Sequence, residues 1–167
     1  MGSEMCIRDR FAIRDMLVSD LSQVLSIEQN AQLSPWARLS FEESLANKHS
    51  CRVVFDIEHD QAVIAYHVIC AVVDELHILN IVVAKEHQGQ GIAHVLMHDI
   101  MDIARHSTEN AENTRKVFLE VRAGNYKAQQ LYEQWQFQQI AVRKDYYRRP
   151  NQETEDALVF VKLLDDF

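Results

Sequence analysis

Read for the spacing of apolar and polar positions, the chain switches several times between strand period and helix period. Residues 11–16 predict a short strand, with Phe11 and Ile13 on one side and Ala12 and Arg14 on the other. A helix follows, with Ser19 or Asp20 as its N-cap and Leu21, Val24, Leu25 and Glu28 at helical spacing. Pro35 and Trp36 interrupt it, and Ser40 with Glu43 three residues later predicts a capping box for a second helix ending near Asn47. From Arg52 the period becomes that of strands, over 52–57 and 62–73, with a polar hairpin turn at 58–61. The run 76–83 is nearly all apolar, as expected of a strand buried on both faces. A helix over 91–105, a buried strand over 117–121, a helix over 126–135 and an antiparallel pair over 138–147 and 157–164 complete the chain. The order βααβββαβαββ predicts an α/β (α+β) fold on a mixed sheet, with a β-α-β-α-β unit at its middle.

Composition narrows the class. With 167 residues, 47% hydrophobic and 25% charged, a single domain over 11–167 is expected. Residues 1–10 mix charge and polarity without periodicity and are set aside as non-native or disordered. The formal charge of −8 disfavours a nucleic-acid surface built on bulk positive charge and suits a basic partner. Cys6, Cys51 and Cys70 are odd in number and form no Cys-x-x-Cys pair, so a disulfide framework or zinc ribbon is not indicated. No apolar run approaches the roughly 20 residues of a membrane helix, and the start lacks a signal-peptide core. A cytoplasmic monomer that binds no membrane is the expectation.

The few glycines point to a site. Gln88, Gly89, Gln90, Gly91, Ile92, Ala93 and His94 join a predicted strand to a predicted helix. Glycines let the backbone approach a ligand closely, and the unpaired amides of a first helical turn favour a phosphate. The loop is neither the dinucleotide fingerprint nor a Walker loop, whose further Gly and Lys-Ser/Thr are missing. A phosphate-binding turn and an ordinary strand-to-helix turn both remain open at this point.

Two further residues are candidates for proton transfer. In the strand Val117, Phe118, Leu119, Glu120, Val121, the alternation puts Phe118 and Glu120 on one face. A carboxylate in an apolar strand must be hydrogen-bonded, solvated by a cleft or raised in pKa, or else matched by Arg122 or another cation. Tyr132 falls on the apolar stripe of its helix, where a core role and a functional one are both available.

Gln88-x-x-Gly91-x-Ala93, preceded by Leu79, Asn80, Ile81, Val82 and Val83, resembles the Gln/Arg-x-x-Gly-x-Gly/Ala signature of the GNAT acetyltransferases. Leu119-Glu120-Val121-Arg122-Ala123-Gly124-Asn125, then Ala128, Leu131-Tyr132-Glu133 and Phe137, is similar to one branch, the bacterial ribosomal-protein N-terminal-alanine acetyltransferases. Pro35-Trp36, Asp145-Tyr146-Tyr147 and Glu155-Asp156-Ala157 extend the resemblance from Phe11 to about Leu164. Ala93 stands where the signature has its second Gly, Gly124 where Ser is common, and Trp135-Gln136-Phe137 where Leu-Gly-Phe is usual, leaving the last helix without a glycine cap.

The resemblance implies that Gln88, Gly89, Gln90, Gly91, Ile92, Ala93 and His94 hold the pyrophosphate of acetyl-coenzyme A. Ile81, Val82 and Val83 would pair with its pantetheine arm by strand addition and supply oxyanion donors, and Asn125 would bond the same arm. It makes Glu120 the general base and Tyr132 the general acid of direct acetyl transfer to an amine. Trp36, Tyr146 and Tyr147 would touch the acceptor, the N-terminal alanine of a basic ribosomal protein. An α-amino group, with a pKa of about 7.7–8.0 against about 10.4 for lysine, is several hundred times more abundant as the neutral nucleophile at neutral pH. A GNAT enzyme for another amine (lysine, polyamine or small molecule) and a non-catalytic acetyl-coenzyme A module are the alternatives.

Other residues carry less. His94 and His98 have the spacing of a zinc pair, but Val95 stands where a zincin has Glu, so a solvated helix face is expected and no metal. Cys51 and Cys70 lie in predicted strands without a base, and Arg148-Arg149 reads as a solvated loop.

Overall fold

The computed structural model describes residues 10–106 and 114–164. Its strands are β1 (Phe11–Asp15), β2 (Ser50–Asp56), β3 (Val63–Val72), β4 (Glu75–Val83), β5 (Lys116–Arg122), β6 (Gln138–Arg148) and β7 (Thr154–Leu163). Its α-helices are α1 (Leu21–Ala31), α2 (Arg38–Ala46), α3 (Ile92–His106) and α4 (Tyr126–Gln134), with short 3-10 turns at Val18–Asp20 and Lys85–His87. The order is the expected βααβββαβαββ, on a seven-stranded mixed sheet ordered β1-β2-β3-β4-β5-β7-β6. Pairing is antiparallel for β1–β2, β2–β3, β5–β7 and β6–β7, and parallel for β4–β5, whose crossover is α3. No described helix is long and apolar enough to cross a membrane.

The residues fall into two compact units, with β3, β4 and α3 contributing to both. The first takes the described residues up to Ile69 together with Asn80–Ile100. Two clusters of apolar side chains lie among its described residues. Leu21, Val24 and Ile27 of α1 and Phe41 of α2 join Val53, Val63, Tyr66, Val68 and Val82 in one. Ile92 and Leu96 of α3 join Phe11, Val54, Ile64 and Ala65 in the other. Because adjacent strand residues point to opposite faces, β3 feeds both clusters and is buried at every residue from Val63 to Ile69. That is the continuous burial expected of 76–83. In β4 only alternate residues (Leu76, Ile78, Asn80, Val82) are fully buried, and Leu79 is exposed.

Local signals at three places resolve differently from their sequence reading. Asp20 is the N-cap of α1 by position, as expected, but its carboxylate makes no cap bond to that helix and instead closes the 3-10 turn before it, accepting from the Leu17 amide at 2.8 Å and from Arg14 at 2.7 and 2.9 Å. Ser40 lies inside α2, which already starts at Arg38 with Ala37 as N-cap, so the capping box does not form. Of the segment 1–10 set aside above, residues 1–9 lie outside the described residues. Arg10 is part of the fold: its carbonyl accepts from the Ile57 amide at 2.9 Å and its guanidinium grips buried Asp56 at 2.7 Å.

The second unit takes Cys70–Leu79 and the described residues from Met101 onward. On β5, Val117, Leu119 and Val121 are buried while Phe118 and Glu120 share the half-buried face, as the alternation predicts. The registered β4–β5 pairs run from Glu75↔Lys116 to Ile78↔Leu119. Helix α4 ends without glycine. Gln136 takes φ 65°, while the amides of Gln136 and Phe137 reach back to the carbonyls of Glu133 and Tyr132, both at 2.9 Å. That is the paired bonding of a Schellman ending, completed by packing of Phe137 on Tyr132 with ring centroids 5.9 Å apart.

Candidate active site

The candidate residues divide between the units, and each group is described within its own. In the first, β4 ends at Val83, a 3-10 turn follows, and Gly89 and Gly91 adopt φ of 77° and 82° to bring the chain into α3. These left-handed conformations explain glycine at both positions. A Cβ built on Gly89 would meet nothing within 4 Å, so the loop presents bare backbone. The first loop-to-helix bonds are made by the His94 and Val95 amides, both to the Gly91 carbonyl. Among the described residues, the amides of Gly89, Gln90, Gly91, Ile92 and Ala93 donate to no backbone carbonyl. This donor set, at the positive end of a helix, fits a phosphate.

Gln88 has a different part from its neighbours. Its side-chain amide donates to the Val83 carbonyl at 3.0 Å, tying the loop to the end of β4. Ile81 and Val83 are half-buried against the α3-side cluster, and Val82 is buried on the other. His94 and His98 sit on the exposed face of α3. Trp36, half-buried in the α1–α2 loop, packs at a tilt against Phe41 with centroids 5.3 Å apart, and Phe41 meets Tyr66 edge-on at 5.7 Å.

In the second unit Glu120 emerges from β5 with its side chain 29% exposed and accepts from Arg143 of β6 at 2.8 Å. The cation that matches it is therefore Arg143 rather than the adjacent Arg122, which faces Glu155. Arg143 also lies over the Tyr146 ring, 5.0 Å from its centroid. Tyr146 in turn meets Tyr147 edge-on at 5.2 Å. Burial, then the negative charge of Glu120, pushes the Tyr147 phenol up to about 12. Tyr132 is 5% exposed, wedged against Phe137 and Phe160. Burial raises its phenol above the ordinary value, with Tyr147 adding to the shift, so at neutral pH it keeps its proton.

Between β5 and α4 the chain is fastened by Glu155 of β7. This buried carboxylate accepts from the Gly124 amide at 2.7 Å, from Arg149 at 3.0 and 3.1 Å and from Arg122 at 3.4 Å. Burial alone would raise Glu155; the Gly124 amide, Arg149 and Arg122 together hold it below the ordinary carboxylate value. A Cβ on Gly124 would stand 2.7 Å from Glu155 Oε1, which explains glycine there. Arg149 is thus a clamp on Glu155, not the solvated loop residue its sequence suggested. Asn125 is the N-cap of α4, its Oδ1 accepting from the Ala128 amide at 3.2 Å, which leaves its NH₂ group as the available donor. Burial pushes the Cys51 thiol up to about 11, so it stays protonated.

Residues 17–137 match the model of the acetyltransferase (GNAT) family. The chain belongs to that family. Among curated GNAT relatives, a Bacillus subtilis protein provisionally named a ribosomal protein bS18-alanine N-acetyltransferase is 32% identical over 154 residues, 92% of this chain and 95% of that one. The ribosomal protein bS18-alanine N-acetyltransferase of Escherichia coli K12 is 27% identical over 88% of this chain and 93% of its own. The crystal structure of the Escherichia coli ribosomal-protein-S18-alanine N-acetyltransferase superimposes with a TM-score of 0.81 at 25% identity, covering 94% and 96% of the two chains. Arabidopsis thaliana NAA60, solved with acetyl-CoA, shares the fold at a TM-score of 0.79 and 18% identity, covering 92% of this chain and 98% of that one. Within this GNAT chain, spacing made the loop, Glu120 and Tyr132 candidates and the family resemblance gave them their expected roles, while neither pointed to Arg143, to the Glu155 clamp or to the buried Glu28 carboxylate. No short motif marks a partner that arrives from another strand.

Proposed function

We propose that this GNAT protein transfers the acetyl group of acetyl-CoA to the α-amino group of an N-terminal alanine, on a basic small-subunit ribosomal protein in the cytoplasm. The end-to-end likeness to bS18-alanine N-acetyltransferases, reaching 32% identity, carries this reading. The unpaired amides from Gly89 to Ala93 support assigning the pyrophosphate to that loop, with Gln88 and His94 flanking it. The end of registered β4–β5 pairing at Ile78 supports giving the pantetheine arm to the backbone of Ile81, Val82 and Val83. The NH₂ group of Asn125 is then a donor to the same arm.

Acetyl-CoA supplies an acyl group activated as a thioester. Glu120, half-exposed beside Arg143, takes the proton that the acceptor amine sheds as it attacks. Tyr132, kept protonated by burial, gives its phenolic proton to the departing thiolate. Amides of β4 donate to the carbonyl oxygen as negative charge builds there. Trp36, Tyr146 and Tyr147 border the acceptor, and the formal charge of −8 favours a cationic peptide, with a rate that falls as salt rises.

Incubation with acetyl-CoA and a basic peptide starting with alanine, followed by mass analysis, tests the reading. Acetylation at the N-terminus, with lysine side chains and spermidine left unmodified, is expected. Equal turnover of free lysine or a polyamine overturns the acceptor assignment, and binding of acetyl-CoA without transfer overturns the enzymatic one.

A further inference from the structure

Glu28 is 1% exposed in the first unit. Its carboxylate has no lysine or arginine partner among the described residues and is held by neutral donors. Oε1 accepts from the Trp36 amide at 2.8 Å, while Oε2 accepts from the Tyr66 hydroxyl and from Asn80 Nδ2 at 3.2 Å. Four pieces of chain meet there: α1, which carries Glu28; β3, through Tyr66; β4, through Asn80; and the α1–α2 loop, through Trp36. The backbone carbonyl of Glu28 also accepts from the Gln32 amide at 3.0 Å, so one residue fastens the loop at its start and near its end.

A carboxylate buried without a cation is an expensive way to fill space. An apolar residue of similar volume serves packing as well and needs no desolvation. What an apolar residue cannot do is accept three hydrogen bonds from three directions. Two of the three donors lead to assigned parts of the reaction. Trp36 is assigned to the acceptor, and Asn80 immediately precedes Ile81, Val82 and Val83.

We propose that Glu28 is a positioning residue for the acceptor, locking the Trp36 loop to the strand that presents the acyl donor. The inference rests on the acetyltransferase reading above. Small displacements between reacting groups are costly in rate, so the lock acts on the approach of the amine and leaves the phosphate loop alone.

The test compares wild type, Glu28→Gln and Tyr66→Phe in steady-state kinetics, varying peptide and acetyl-CoA separately, with melting temperature followed in parallel. Tyr66→Phe keeps the ring and the fold while removing one donor, so it serves if Glu28→Gln folds poorly. A rise in peptide KM of about tenfold or more for Glu28→Gln, a smaller rise for Tyr66→Phe and an acetyl-CoA KM within about twofold of wild type are expected. In a Trp36→Ala background the Glu28→Gln effect should shrink, because the two act through one loop. Unchanged kinetic constants with a lowered melting temperature overturn the proposal, as does a parallel rise in acetyl-CoA KM or full additivity with Trp36→Ala. The wild-type arm stands apart: if it acetylates another amine instead, the acceptor reading fails, and the Glu28 comparison is run on that amine.

Discussion

Two glutamates in apolar surroundings, one in each unit, are held in opposite ways. Glu28, on a helix face turned wholly into the core, is surrounded by neutral donors. Glu120, on the half-open face of a strand, meets a guanidinium at 2.8 Å and keeps access to water. A buried carboxylate without a cation depends on every donor staying in place, whereas an exposed ion pair is worth little to the fold and is free to exchange partners. The first arrangement suits a fixed joint, and the second leaves its carboxylate within reach of solvent.

The sharpest separation is kinetic. Glu120→Gln is expected to lower turnover at neutral pH by about 10²- to 10⁴-fold, with acetyl-CoA affinity and melting temperature nearly unchanged. A variant of normal rate would remove Glu120 from the chemistry and break the contrast. Glu28→Ala should do the reverse in urea unfolding, costing about 2–4 kcal/mol, because the Tyr66 hydroxyl, Asn80 amide and Trp36 amide lose their acceptor inside the core. Gly124→Ala tests the carboxylate clamp of the second unit. The new methyl crowds Glu155, which Arg149 and Arg122 hold in place, at a cost of about 1–2 kcal/mol by thermal or urea unfolding.

A pH series sharpens the comparison with an ion-paired carboxylate of the first unit. The Arg10 guanidinium, helped by the Glu58 amide and His59, holds buried Asp56 at about 2. That lies below the ordinary value of about 3.9, so the folded state binds fewer protons between these values. The stabilisation is complete above pH ~4 and lost as pH falls through ~2. The melting temperature of Arg10→Gln should therefore lie below wild type at pH 7 and converge with it near pH 2. The smallest effect belongs to the helix end: Gln136→Gly should relieve the left-handed conformation and raise stability by about 0.5–1 kcal/mol.

Elements with a strong local period were legible in the sequence, and their observed ends differ from the expected ones by a few residues. The glycine loop between β4 and α3 was legible because its physics is local: two glycines, a strand before and a helix after. Glu120 and Tyr132 could be placed on their faces by alternation and helical stripe. Their surroundings could not, because Arg143 lies 23 residues from Glu120 and reaches it only through the β5–β7–β6 order. Capping was misread at Ser40 for a related reason. The motif was present, but Ala37 in extended conformation started the helix earlier.

By itself the chain determined its element order, the glycine loop between β4 and α3, and which side chains share a face, since all of these follow from periods of two and 3.6 residues and from backbone freedom at glycine. Tertiary structure decided which carboxylate is buried, which cation meets which anion, and that β3 rather than β4 is covered on both faces. Glu28, Tyr66 and Asn80 are separated by 38 and 52 residues from the glutamate outward, so no local pattern announces that they share a hydrogen-bonded centre. Burial and pairing are properties of what the rest of the chain brings alongside, and only the folded sheet and its helices supply that.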